Sequence, residues 1–266
     1  MSARTTQHKH PRATDSLYRP QHSTPFTDGT VGFTSGQVIG GRWKAIQHFA
    51  STFLMTNVFI ACGVYGSTSA GCFARNDDPL HALNAVATVT VVRVSGAGAV
   101  VFSNTTSVTL GPGAAAVQWW CLGSGSVGSA CESMADFLTR IGCSTSGTDC
   151  VLFESLADAA TGSTIVSSFE LLGIPGALAL ADPQLTWTVA PIPNADGSVN
   201  VTVVASAAPA AFVTLTTQAQ GRFSDNSFWV GPTAGATTTV AFLPFGLLDF
   251  ELLTSTLRVE HLAQYL

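Results

Sequence analysis

From about residue 57 onward the chain is a series of short alternations of apolar and polar positions, broken by Gly, Pro and Asx clusters. Ala85 to Val94 reads AVATVTVVRV, a β-branched run with period two, the mark of a half-buried strand. Strands are likewise expected over 57–62, 72–75, 100–104, 106–110, 115–121, 150–153 and 163–172. Asn76-Asp77-Asp78-Pro79 breaks this series with Asx side chains suited to bonding their own backbone. The segment Gly173-Ile174-Pro175-Gly176 is the natural linker. Beyond it the pattern resumes over 184–190, 198–205, 211–217, 237–242 and 255–260. Two runs of short strands separated by turn residues predict an all-β chain of two sandwiches in tandem, over 57–174 and 177–266.

The period also changes: a helical turn is expected at Glu132 to Ile141, and a longer helix precedes the strands. Trp43, Ile46, Phe49, Ala50, Phe53 and Leu54 recur at three- and four-residue spacing, which predicts an amphipathic helix over 41–56. Its aromatic stripe needs a partner surface. The stretch Ile46 to Tyr65 is apolar, but Gln47, His48, Ser51, Thr52, Thr56 and Asn57 are too polar for a span of roughly 20 hydrocarbon-facing residues. No transmembrane span is expected. Residues 1–40 have no apolar period and no signal-peptide core, and read as a disordered leader.

Only 10% of the 266 residues are charged and the net charge is -5, so a basic face for nucleic acid is excluded. Of the six cysteines, Cys121, Cys131, Cys143 and Cys150 crowd one Gly- and Ser-rich insertion, 121–150. They lack the spacing of a zinc knuckle, so disulfides are expected and a metal site is not. Four cysteines allow three pairings, and spacing does not choose among them. Asn104 and Asn200 open N-x-[ST] sequons and are candidate glycosylation sites. Such features suit an oxidising compartment, yet no signal peptide precedes them.

Gly221-Arg222-Phe223-Ser224-Asp225-Asn226-Ser227-Phe228-Trp229-Val230-Gly231-Pro232 combines three aromatic rings, an Asx turn and a Gly-Pro corner. It resembles the terminal immunoglobulin-like domain of β-mannosidases, which are retaining glycoside hydrolases related to family 2. Leu180-Ala181-Asp182-Pro183-Gln184-Leu185 resembles the entry to that domain, and Leu257-Arg258-Val259-Glu260-His261-Leu262 its close. Gly41-Arg42-Trp43-Lys44-Ala45 is similar to the last helix of the family's catalytic barrel, and Arg75-Asn76-Asp77-Asp78 to a turn of the adjoining sandwich. The resemblance implies that both sandwiches are immunoglobulin-like and that 41–56 is the final barrel helix. It also implies a parent activity, hydrolysis of terminal non-reducing β-D-mannose residues, and a secreted, lysosomal or vacuolar setting.

Such hydrolysis needs two carboxylates about 5 Å apart. In the family both are glutamates on barrel strands, one following an asparagine. None of Glu132, Glu154, Glu170, Glu251 and Glu260 follows an asparagine, and a barrel of about 250 residues does not fit here. The expectation is therefore a non-catalytic accessory region without cofactor, whose partner is a catalytic barrel in cis or in trans. The alternative is a stand-alone module that binds a glycan or a protein. Phe223, Ser224, Asp225 and Asn226 are read as a structural turn, with the two phenylalanines, Phe223 and Phe228, in the core. Trp119 and Trp120 are candidates for a sugar platform; on a regular strand one would face the core and the other an interface. Trp43, Lys44, His48 and His261 are read as packing or surface residues.

Overall fold

The computed structural model describes residues 47–48, 56–65, 69–113, 115–122 and 131–266. The leader lies outside these residues. So does the helix 41–56 except for Gln47 and His48, which are helical, and Thr56 at its end.

The chain is all-β. In the first unit the strands are β1 (Val58–Tyr65), β2 (Ser69–Asn76), β3 (Leu83–Arg93), β4 (Ala99–Leu110), β5 (Val117–Cys121), β6 (Cys150–Asp158) and β7 (Thr164–Leu171), with one short helix, α1 (Met134–Arg140). They form antiparallel sheets ordered β1-β2-β5 and β4-β3-β6-β7, which share one core. Alternation builds that core directly. Ala85, Ala87, Val89 and Val91 of β3 are buried, while Val86, Thr88 and Thr90 face the other side. Residues 106–110, expected as a separate strand, continue 100–104, because β4 pairs with β3 all the way from Ala99 to Leu110. Helix α1 starts at Ser133, whose hydroxyl accepts from the Asp136 N–H, and buries Phe137 and Leu138 in the same core.

Trp119 and Trp120 are not a sugar platform. Both are buried, at 2% and 1% exposure, because the β2–β5 pairing slips by one residue at Trp119, between Trp120 and Gln118. The slip lets neighbouring side chains on β5 turn to the same side, which strict alternation forbids. Trp120 packs edge-on against Phe137 and tilted against Phe102.

The second unit contains β8 (Leu185–Val189), β9 (Val199–Ala205), β10 (Ala210–Thr216), β11 (Gly221–Phe223), β12 (Phe228–Val230), β13 (Ala236–Pro244), helix α2 (Phe250–Thr256) and β14 (Arg258–Glu260). Its sheets are ordered β11-β13-β9-β8 and β12-β10-β14, again around one core. The expected strand 255–260 is shorter than the sequence suggests. Its first part belongs to α2, which Asp249 caps by accepting from the Leu252 N–H, and Leu253 anchors that helix in the core.

The two units meet through aromatic rings. Phe153 and Phe169, on the outer side of β6 and β7, pack against Trp229 at 5.3 and 5.7 Å, and Phe212 joins Phe169 at 5.6 Å. Val92 and Val94, in step with Thr88 and Thr90, fall by alternation on this outer side, where they pack with Val151 beneath the joint. At its rim the Ala234 N–H donates to the Ala97 carbonyl. Gly98, at φ +78°, sits so close to Pro209 and the Pro232 carbonyl that a Cβ there would lie 2.7 and 2.6 Å from them.

Candidate functional site

The Gly221–Pro232 stretch carries the chain from one sheet of the second sandwich to the other: β11 pairs with β13, and β12 with β10. Gly221 is required at the start, since a Cβ would stand 2.3 Å from the Phe242 ring. Ser224 closes a two-way bond with Ala241, donating its N–H to the Ala241 carbonyl and accepting the Ala241 N–H on its hydroxyl. Asn226 is buried and substitutes for a strand. Its Oδ1 accepts from the Leu215 N–H at 2.7 Å and its Nδ2 donates to the Leu215 carbonyl at 2.9 Å. Asp225 Oδ1 accepts from the Asn226 N–H, and Phe223 and Phe228 are both buried. The peptide bond between Gly231 and Pro232 is cis.

This corner forms one wall of a cleft of about 360 Å³ between the two sandwiches. The opposite wall is the outer face of the first unit's four-stranded sheet, which presents Thr88, Thr90, Ser155 and Ser167. The aromatic joint closes one side. Asp225 looks into the cleft, and its half-burial raises its carboxyl above the usual aspartate range, against the lowering effect of the Asn226 N–H. His48 also lines the cleft and is only 2% exposed. Burial, with the Arg222 charge in second place, lowers its imidazole to about 4, so it is neutral at pH 7.

The five glutamates fall in separate settings, apart from one pair. Glu132 is bound by Arg140 at 3.0 Å, Glu260 accepts from the Tyr265 hydroxyl, and Glu251 is exposed in the first turn of α2. Glu154 and Glu170 stand on adjacent strands and turn inward, toward the core of the first sandwich. Glu154 is 2% exposed and neither of its oxygens makes a well-formed hydrogen bond. Burial first, then the Glu170 charge, pushes its carboxyl up to about 8, although the Ser168 hydroxyl and the backbone at Cys62 lie near enough to oppose this. Glu154 is therefore an inward-facing acid, neutral at pH 7.

The cysteines pair as Cys62–Cys72, Cys121–Cys131 and Cys143–Cys150. The first bridge joins facing positions of β1 and β2 and falls outside the insertion to which the sequence directed attention. Cys143, Asp149 and Cys150 place their ligand-type atoms within 4.8 Å of one another, but the two sulfurs are bonded together and Asp149 accepts from the Ser144 N–H and hydroxyl. Asn104 is half-buried on edge strand β4, opposite core residue Val89, and Asn200 accepts from the Asn194 side chain. His261 precedes the closing turn 262–264, and its backbone N–H donates to Gln264. Trp43 and Lys44 lie outside the described residues.

Residues 180–265 match the family model Ig_mannosidase, an Ig-fold domain. This segment is an Ig-fold domain of the mannosidase type. The mannosidase-type Ig domain thus contains the whole corner and the wall of the cleft that carries Asp225 and Trp229. Among solved structures, the chain is similar to a β-D-mannosidase from Dictyoglomus thermophilum, with a TM-score of 0.59 and 12% identity over 85% of this chain. At that identity the likeness is one of fold, and it reaches beyond the mannosidase-type Ig domain into the first sandwich. The chain spans about a quarter of that mannosidase, 24% of its length. No curated protein matches the chain. Among the described residues, no helix is long and apolar enough to cross a membrane.

Proposed function

We propose that this chain is the non-catalytic C-terminal region of a β-mannosidase-like glycoside hydrolase and that it braces the catalytic barrel. The parent reaction would be removal of terminal non-reducing β-D-mannose. The observation that carries this reading is the burial of His48. That residue belongs to the segment resembling the last barrel helix, and it is 2% exposed against the cleft where the two sandwiches meet. A barrel leading into this segment would be held at the joint by both sandwiches. The mannosidase-type Ig domain and the shared fold with a β-D-mannosidase support the same parentage.

The settings of the five glutamates support a bracing role over chemistry. Glu132 and Glu260 are paired, Glu251 is exposed, and Glu154 lies buried with Glu170 beside it inside the first sandwich. The purified chain is expected to leave an aryl β-mannoside unhydrolysed. Turnover lost upon a single Glu→Gln change would refute the non-catalytic reading. Partnership with a barrel encoded separately is the variant of this proposal that co-purification tests.

A further inference from the structure

The cleft between the sandwiches has a lining that the bracing role does not use. Ser155 and Ser167 face each other across β6 and β7, and neither hydroxyl has a partner among the described residues. Thr88 and Thr90 each make one long contact, at 3.3 Å to Thr105 and 3.4 Å to Ser103. A hydroxyl both donates and accepts, so each keeps unused capacity. Across from them Asp225 has committed one carboxylate oxygen to the Asn226 N–H, while the other has no partner among the described residues. The end wall is the half-buried ring of Trp229 with its phenylalanine neighbours.

We infer that this cleft is a binding site for a small uncharged polyhydroxylated ligand, one or two sugar rings in size. Its volume of about 360 Å³ lies at the lower end of the range for small-molecule sites. Hydroxyls on one wall and a carboxylate oxygen on the other match the mixed donor and acceptor pattern of vicinal ring hydroxyls. An aromatic end wall suits the apolar face of a sugar ring. Charge decides against the main competitor. Asp225 disfavours an anion, and no Lys or Arg is among the described residues that line the cleft. A cation would find one carboxylate and no second anionic ligand among the lining side chains that face the cleft.

The cleft is shared with His48, on which the bracing reading rests, but the two readings are tested by separate readouts. A chain that binds sugar without stabilising a barrel removes only the bracing reading, and a chain that stabilises a barrel without binding sugar removes only this one. The test is titration of the full chain with mannose, β-1,4-mannobiose and glucuronate, read by calorimetry and by the Trp229 indole N–H resonance. Saturable binding of a neutral sugar is expected, with glucuronate at least about tenfold weaker, which the charge of Asp225 enforces. Ser155→Leu, which fills the cleft from an outward strand position, should abolish binding, and Ser167→Ala should weaken it about fivefold, the loss of one hydrogen bond. Circular dichroism and thermal midpoint establish that both variants fold. Asp225→Asn, which keeps the acceptor for Asn226, should narrow the gap between mannose and glucuronate. Absence of saturable binding, equal affinity for glucuronate, or binding that survives Ser155→Leu in a folded chain overturns the assignment.

Discussion

Two residues concentrate the physical chemistry of this chain. Asn226 satisfies both the N–H and the carbonyl of Leu215, a backbone pair that would otherwise be buried without partners. Leaving those groups unmade costs about 1–3 kcal/mol each. Asn226→Ala is therefore expected to destabilise the chain by about 2–4 kcal/mol in urea unfolding. Asn226→Asp should do no better than alanine, because it sets a carboxylate oxygen against the Leu215 carbonyl. A loss below about 0.5 kcal/mol for either would mean that water replaces the amide. The role of this side chain was partly legible: its place between Asp225 and Ser227 announced an Asx turn. That it reaches back eleven positions to complete β10 was not, since the partner is set by tertiary packing.

Glu154 gives the second residue-scale prediction. Its native carboxyl titrates at about 8, far above an ordinary glutamate, so the folded chain holds a proton that the unfolded chain releases. Stability therefore falls as pH rises from about 4.5 to 8, by roughly 3–5 kcal/mol at most, and levels off above. His48 acts in the opposite sense. Its native value of about 4 means that the unfolded chain binds the extra proton between pH 4 and 6.5, so stability is lost as pH falls through that window. The two nearly cancel between about pH 4.5 and 6.5, so together they give a broad stability maximum centred at about pH 5.5. Glu154→Gln should remove the alkaline slope and raise the thermal midpoint at pH 8.5, while leaving the acid limb. A wild-type chain equally stable at pH 6 and pH 8.5 would show that Glu154 is solvated or paired.

At the scale of elements, alternation was the legible part and its interruptions were not. The buried face of β3 can be read directly from Ala85 to Val91. The bulge at Val101, where β4 gains a residue against β3, leaves no mark in its run of apolar residues. The same is true of β5, where the slip buries both tryptophans, and of β10, where a shift places Phe212 at φ +51°. A non-glycine residue in that region carries strain of about 1–3 kcal/mol, retained here where its ring enters the aromatic joint. The joint is expected to contribute strongly to stability. Trp229→Ala should cost about 2–4 kcal/mol, through lost area and lost edge-to-face contacts. It should also increase the radius of gyration in solution scattering as the two sandwiches separate. An unchanged radius with an unchanged midpoint would show that the sandwiches are held together elsewhere. Helix α2 shows the other kind of miss: Asp249 was a readable cap, but the β-rich surroundings favoured a strand at 255–260.

At the scale of the molecule, two sandwiches share a joint, a cleft opens beside it, and a residue from the preceding segment is buried there. The sequence made the two strand series and the terminal corner visible, because both rest on local period and turn chemistry. It hid the cleft, because Thr88, Thr90, Ser155 and Ser167 look like ordinary solvent-facing positions until a second unit lies across them. The bracing role predicts that this surface stabilises a barrel it is attached to. The most direct measurement is the thermal midpoint of a β-mannosidase barrel lacking its own terminal domains, alone and fused through its last helix to residues 41–266. The account predicts a higher midpoint and retained hydrolysis of an aryl β-mannoside in the fusion, with most of the gain lost in a His48→Asp fusion that charges the buried position. A barrel whose unfolding is unaffected by the fused chain would contradict it.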